Sequence, residues 1–176
     1  TRYTGSEAVM RIRTSQGISV NAFYGNFFIR GKDLLALPNV DSDKAHAVTF
    51  AHTGSTLNLP TVFIQAAVLY TTSSGERRIR SHTLTLPVTN SLTDLFKYAD
   101  VDSTMNILAR LSIDNAISGR SLASAREQAI DRLIRVLRCY RTSVSTSGPY
   151  SQNLILPDSL RLMPLYILGL LKSPIH

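Results

Sequence analysis

Tryptophan is absent and cysteine occurs once, at position 139. A single thiol excludes an intrachain disulfide and any metal site built on paired cysteines. Cys139 sits among apolar positions at helical spacing and reads as a small buried hydrophobe. No N-x-Ser/Thr sequon is present, and with the lone cysteine this points to a reducing, cytoplasmic setting. Long hydrophobic runs are scarce too. The longest, Leu162 to Leu171, is interrupted by Pro164 and flanked by Arg161 and Lys172. A bilayer span needs roughly 20 apolar residues, so this run reads as a core helix. No signal peptide precedes it. The sequence opens on Thr1 and closes on His176 just after that helix, as a piece cut from a longer protein would.

Catalytic signatures are also missing. The four histidines, His46, His52, His82 and His176, pair with no other ligand at metal-binding spacing. There is no G-x-S-x-G elbow, phosphate-binding loop or dinucleotide fingerprint. Asp41 and Asp43 follow Pro38-Asn39, and turn chemistry accounts for them better than acid–base catalysis. Neither an enzyme active site nor a bound cofactor is expected in this stretch.

What the chain has is positive charge. It carries a net +7 over 176 residues, with an isoelectric point near 9.9. The excess is spread evenly: nine basic and five acidic groups in residues 1–90, ten and seven in the remainder. An acidic partner surface, lipid or protein, fits this balance. Charge alone admits nucleic acid, but no zinc finger, RNP-like aromatic strand or basic zipper supports it. Stacking aromatics on an exposed sheet face would favour that alternative, and the phenylalanines read as buried.

The two halves differ in pattern. All six phenylalanines precede position 97, together with most of the alternating β-branched runs. Strands are expected at Glu7–Thr14, Ile18–Asn21, Asn26–Arg30, Ala45–His52, Thr61–Thr71 and Arg77–Pro87. Several short strands with turns between them suggest an antiparallel sandwich or barrel. After position 90 the spacing turns helical. Ser91-Leu-Thr-Asp94 resembles a capping box, a helix over Asp100–Ile117 ends before Gly119, and Ser121 caps the longest helix, to about Ser143. A Ser/Thr/Gly/Pro loop from Ser143 to Pro149 follows. A last helix runs from about Ser159 to Lys172, with Pro164 tolerated in its first turns.

Two clusters of arginine stand out. Ser73-Ser74-Gly75 reads as the tip of a hairpin, with Thr72 to Glu76 as its turn and Val62, Ile64 and Ile79 packed inside. Arg77, Arg78 and Arg80 leave the turn together. On an extended strand Arg78 and Arg80 share one face, while Arg77 and Ile79 share the other. In the long helix Arg132, Arg135 and Arg138, extended by Arg126 and Arg141, form a basic stripe. Glu127 and Asp131 partly neutralise it. Either cluster is a solvated surface or a docking site for something acidic.

Several stretches carry a family resemblance. Glu7-Ala-Val-Met-Arg-Ile-Arg13, Phe23-Tyr-Gly-Asn-Phe-Phe28, Asp33-Leu-Leu-Ala-Leu-Pro-Asn-Val40, Gly75-Glu-Arg-Arg-Ile-Arg80 and Ser159-Leu-Arg-Leu-Met-Pro-Leu165 resemble, in order, the cargo-adaptor subunit of the COPII vesicle coat. The GTPase-activating sibling subunit shares a similar Arg-Arg-Ile-Arg strand and is the alternative assignment. The Tyr-Gly-Asn-Phe-Phe and Leu-Pro-Asn-Val stretches look like the adaptor.

The resemblance implies an α+β chain, with most of a β-sandwich in residues 1–89 and a truncated helical domain in residues 90–176. It implies a non-catalytic role in cargo selection and budding, peripheral on endoplasmic reticulum exit sites and vesicles. The zinc finger would lie outside this chain, so zinc is expected only there. The sibling subunit would be contacted through other domains, and sorting signals of cargo and an anionic membrane would be the remaining partners, with no nucleic acid. Leu69 and Tyr70 are the candidates for an apolar cargo wall. Arg77, Arg78, Arg80, Arg132, Arg135 and Arg138 are the candidates for a membrane-facing basic surface.

Overall fold

The structure, a computed structural model, describes residues 3–31, 33–119, 121–144 and 154–173. Most of the loop expected at Ser143 to Pro149, and His176, fall outside them. The described chain is α+β: seven antiparallel strands, then four helices. It divides into two compact units, Thr1–Val88 and Thr89–His176.

In the first unit the strands are β1 (Gly5–Thr14), β2 (Ile18–Tyr24), β3 (Phe28–Arg30), β4 (Leu34–Val40), β5 (Ala47–His52), β6 (Thr61–Thr72) and β7 (Arg77–Pro87). One sheet has the order β3-β4-β1-β6-β7, and β2 pairs with β5 in a second. Alternation along β1 and β4 sends Ala8, Ile12, Leu35 and Leu37 into the interior, with Leu35 wholly inaccessible. Val62 of β6 and Ala47 of β5 join them.

One strand was not expected from the sequence. β4 contains Pro38, which lacks the N–H that a central ladder requires. It falls between the pairs Ser6↔Asn39 and Ala8↔Leu37. There β1 is irregular: its register with β6 shifts between Ser6 and Val9, and Glu7 has φ 48°. A bulge is where a proline interrupts a ladder at least cost.

Three other expectations are corrected. Ile79 does not pack inside; it is 74% exposed. β7 is the edge of its sheet, paired only with β6, and every residue of it is exposed. Nor are all the phenylalanines buried: Phe28, Phe50 and Phe63 are exposed. They stand on β3, on β5 of the other sheet and on β6, so they form no continuous stacking platform. Cys139, expected as a small buried hydrophobe, is exposed.

The helices of the second unit are α1 (Leu92–Lys97), α2 (Val101–Ile117), α3 (Leu122–Ser143) and α4 (Met163–Lys172). Their starts follow capping chemistry. The Asp94 amide donates to Ser91 Oγ at 3.3 Å and the Ser124 amide to Ser121 Oγ at 3.2 Å. Asp100 Oδ1 accepts from the Asp102 and Ser103 amides, and the Ser103 hydroxyl donates to Oδ2 at 3.0 Å. Bonds from the Ser103 amide and hydroxyl hold the Asp100 carboxyl below its ordinary value of 3.8. α4 begins later than its sequence suggests, with Pro164 in its first turn. Its Met163 and Ile167 join Phe96, Leu108 and Leu160 in a separate core, against which Tyr140 sets its ring edge-on to Phe96.

Candidate functional site

The β6–β7 hairpin positions most of the candidate residues. Its turn closes through the Thr72 amide to Glu76 O (2.8 Å) and the Gly75 amide to Thr72 O (3.0 Å). Gly75 takes φ 86°, which a residue without Cβ adopts freely. Beyond the turn the register pairs Thr71↔Arg77, Tyr70↔Arg78, Leu69↔Ile79 and Val68↔Arg80. Directly paired residues share a sheet face. Tyr70 and Val68 therefore stand with Arg78 and Arg80, and Leu69 with Ile79.

The first of these faces forms one wall and the floor of a cleft of about 430 Å³. The start of β1, at Tyr3 and Thr4, and the end of β4, at Val40, Asp41 and Ser42, complete it. Gly5 makes this arrangement possible. A Cβ there would lie 2.6 Å from Tyr70 Cδ2 and 2.8 Å from Val40 Cγ2, so the absent side chain is what lets the Tyr70 ring settle against β1. Hydroxyls of Thr72 and Ser73 edge the mouth. Asp41 is engaged by its own neighbours: its Oδ1 accepts the Asp43 amide at 3.0 Å while Lys44 lies 4.0 Å from Oδ2.

The opposite face holds a shallower hollow of about 350 Å³, lined by Val9, Arg11, Leu34, Ala67, Val68, Leu69 and Ile79. Arg11 pairs there with Asp33, Nε to Oδ2 at 3.0 Å. Leu69 and Tyr70 were grouped from sequence as one apolar wall. The strand alternation sends them into separate depressions on opposite sides of the sheet.

The arginines also separate. Arg77 is held by its own protein: Nη1 donates to Thr71 Oγ1 (2.7 Å), Glu7 O (3.1 Å) and Glu7 Oε2 (3.4 Å). The β1 bulge that twists Glu7 to positive φ delivers this carboxylate. Arg78 makes an ion pair with Glu76, both side chains more than half exposed. Arg80 is exposed and has no ion pair among the described residues. On α3, Arg135 pairs with Asp131 one turn earlier at 2.7 Å, Arg138 is exposed and Arg132 is half-buried. Arg126 leaves the stripe, turning its Nη1 to Leu171 O at 2.8 Å. No group of three potential metal ligands occurs among the described residues, and no described helix is long and apolar enough to cross a membrane.

The cleft itself was missed from sequence. Its arginines and tyrosine were noticed, but the β4 wall lay in a stretch read as loop. The signal available was Gly5, a small residue beside a strand whose partners are large.

The profile of the Sec23/Sec24 beta-sandwich domain matches residues 5–89, and that of the Sec23/Sec24 helical domain matches residues 100–176. The chain is 46% identical over 173 residues to the human protein transport protein Sec24A, covering 98% of this chain and 16% of that protein. With SEC24 of Dictyostelium discoideum it shares 39% identity over 183 residues, covering 98% and 18%. Among solved structures, the human COPII-coat protein Sec24c superposes with a TM-score of 0.86 at 31% identity, over 98% of this chain and 22% of that one. The chain thus spans under a fifth of the length of the curated relatives named here.

Proposed function

The chain belongs to the Sec23/Sec24 family, where it is homologous to the Sec24 proteins, and on that premise we propose that it is the β-sandwich and helical portion of a COPII cargo adaptor. Its role is non-catalytic: it helps select cargo and build the coat on the cytoplasmic side of endoplasmic reticulum exit sites. The observation that carries this reading is the collinear likeness to Sec24A over nearly the whole chain, through sheet and helices alike. The order of the two domain profiles supports it.

The division of labour follows the geometry. Leu69, in the hollow with Arg11 and Ile79, and Tyr70, in the cleft, serve two different contacts for cargo. The basic residues Arg77, Arg78, Arg80, Arg132, Arg135 and Arg138 supply positive potential toward an anionic membrane. Each basic residue near such a surface contributes about 1 kcal/mol, fading within a Debye length. Binding to acidic membranes through this portion alone is therefore weak and salt-sensitive. Zinc and the contact with the GTPase-activating sibling subunit belong to other parts of the longer protein.

The test is a reconstituted budding reaction with the intact protein in place of the resident adaptor. Vesicles that form with cargo enriched over resident membrane proteins support the reading. Failure to join the coat, or vesicles that form without cargo enrichment, contradicts it. Leu69→Trp, which fills the hollow, blocks some cargo classes and spares others; equal packaging of every class removes the hollow as a cargo site.

A further inference from the structure

The turn between β6 and β7 carries three hydroxyls, and two of them serve the turn itself. Thr72 Oγ1 accepts the Glu76 amide at 3.1 Å and shares a hydrogen bond of 2.9 Å with Ser74 Oγ. The Ser73 hydroxyl, exposed at the tip, has no hydrogen bond among the described residues. Ser73 lines the cleft together with Arg78 and Arg80. Arg78 has only an exposed pair with Glu76, and Arg80 has no ion pair among the described residues. We propose that Ser73 is a phosphorylation site, and that Arg78 and Arg80 hold its phosphate across the mouth of the cleft, which cancels their own charge.

A kinase takes its substrate as an exposed, deformable segment, and a hairpin tip with glycine at position 75 is one. Glu76 stands three residues beyond Ser73, where kinases of the acidophilic class read a carboxylate. The step moves the γ-phosphoryl group of ATP. The bond from the γ-phosphorus to its bridging oxygen breaks, a bond to Ser73 Oγ forms, the hydroxyl proton passes to the kinase's base and ADP leaves. The product carries about −1.5 to −2 charges and three acceptor oxygens, so it displaces the single Glu76 carboxylate from Arg78 and gives Arg80 a partner. Guanidinium forks two residues apart on one strand project to the same face and match a phosphate. On the far wall the Asp41 carboxylate is engaged by Lys44 and the Asp43 amide, which leaves both arginines to the phosphate. Arg77 takes no part, because Glu7 and Thr71 hold it on the other face. Phosphorylation thus neutralises two exposed positive charges. Only the consequence, a looser hold on an anionic membrane, rests on the adaptor role proposed above.

The test treats the intact protein with casein kinase II, an enzyme of the acidophilic class, and magnesium ATP, and locates the phosphate by tandem mass spectrometry. Phosphate is expected on Ser73 and is lost from that position in Ser73→Ala, and Glu76→Gln slows its incorporation. Phosphorus NMR then follows the second ionisation of the phosphoserine, which falls near about pH 6 in a peptide. In the protein it moves to lower pH, because the arginines favour the dianion. Arg78→Gln and Arg80→Gln each bring it back toward the peptide, and Arg77→Gln leaves it in place. Circular dichroism confirms that each variant is folded. Capture by phosphatidylcholine vesicles carrying phosphatidylserine falls on phosphorylation, by about fivefold for each charge cancelled.

Absence of phosphate from Ser73 overturns the proposal, and so does phosphate on Thr72 or Ser74 in its place. A phosphoserine that titrates as the peptide does, or whose titration neither Arg78→Gln nor Arg80→Gln alters, also overturns it. If Ser73 is modified and its titration follows the arginines while the unmodified protein ignores acidic vesicles, the phosphate site stands and the membrane role falls. Vesicle capture that Arg80→Gln weakens and phosphorylation leaves untouched keeps the membrane role and overturns the hold of the arginines on the phosphate.

Discussion

The centre and the edge of the five-stranded sheet are built from similar residues and do different work. β1 and β4 bury Ala8, Ile12, Leu35 and Leu37, flanked by partners on both sides. β7 carries Ile79, Leu84 and Leu86, and all three are exposed. Apolar side chains specify a core only where a second layer covers them. At the edge the same alternation instead sorts side chains between the two faces, with Arg78 and Arg80 toward the cleft and Ile79 toward the hollow.

The sharpest test of this contrast is a pair of alanine substitutions. Leu35→Ala, at a wholly inaccessible site, is expected to cost about 2–5 kcal/mol of unfolding free energy. Ile79→Ala is expected to stay within about 0.5 kcal/mol. Urea unfolding reads both, and equal losses would erase the distinction. Ile79→Asp extends the point. An inward Ile79 would place an unpaired carboxylate in the core at a cost of several kcal/mol; at its exposed position the variant keeps its midpoint nearly unchanged.

Next in size is Gly5→Ala. The new methyl would meet Tyr70 and Val40 well inside contact distance, and overpacking of this kind costs about 1–3 kcal/mol. An alanine variant that melts like the parent would mean the ring already has room elsewhere.

Smaller still is the comparison between the hairpin's two faces. Arg77→Gln removes a partly exposed pair with Glu7, expected to cost about 0–1 kcal/mol and to vanish at high salt. Arg80→Gln is expected to leave stability alone. If Arg80→Gln destabilises the fold more than Arg77→Gln, the assignment of bound and unbound faces is inverted.

The smallest effect contrasts the helical unit with the sheet through pH. Bonds from Ser103 depress the Asp100 carboxyl, so the folded state binds its proton less readily than the unfolded state. The contribution is therefore complete above the ordinary value of 3.8 and is lost as pH falls through the lower folded value. Asp100→Asn keeps an acceptor for the amides but no charge to titrate. Unfolding measured across that acid window should be flatter in the variant, and identical slopes would deny the cap its charge.

Much of the fold was legible in the sequence because it rests on local rules. Ser91 and Ser121 announced two helix starts through their capping side chains, and the helical spacing from Asp100 placed a third. The Ser-Ser-Gly turn announced the hairpin, and the period of two placed Arg78 and Arg80 on one face. Motif resemblance identified the family, which needs only residues in order.

What the sequence could not decide was everything set by a neighbour distant in the chain. Pro38 made β4 look like a loop, and only the bulge in β1 opposite it gives the proline a place in a strand. The pattern at Ile79 and Cys139 reads as buried, yet burial depends on whether another layer lies over that face. Leu69 and Tyr70 are adjacent in the chain and serve different depressions, because alternation separates them while the β4 wall converts one side into a cleft. Local periodicity determined which residues face together; only the tertiary arrangement decided which of those faces are covered, which arginines already have partners, and where a cavity opens.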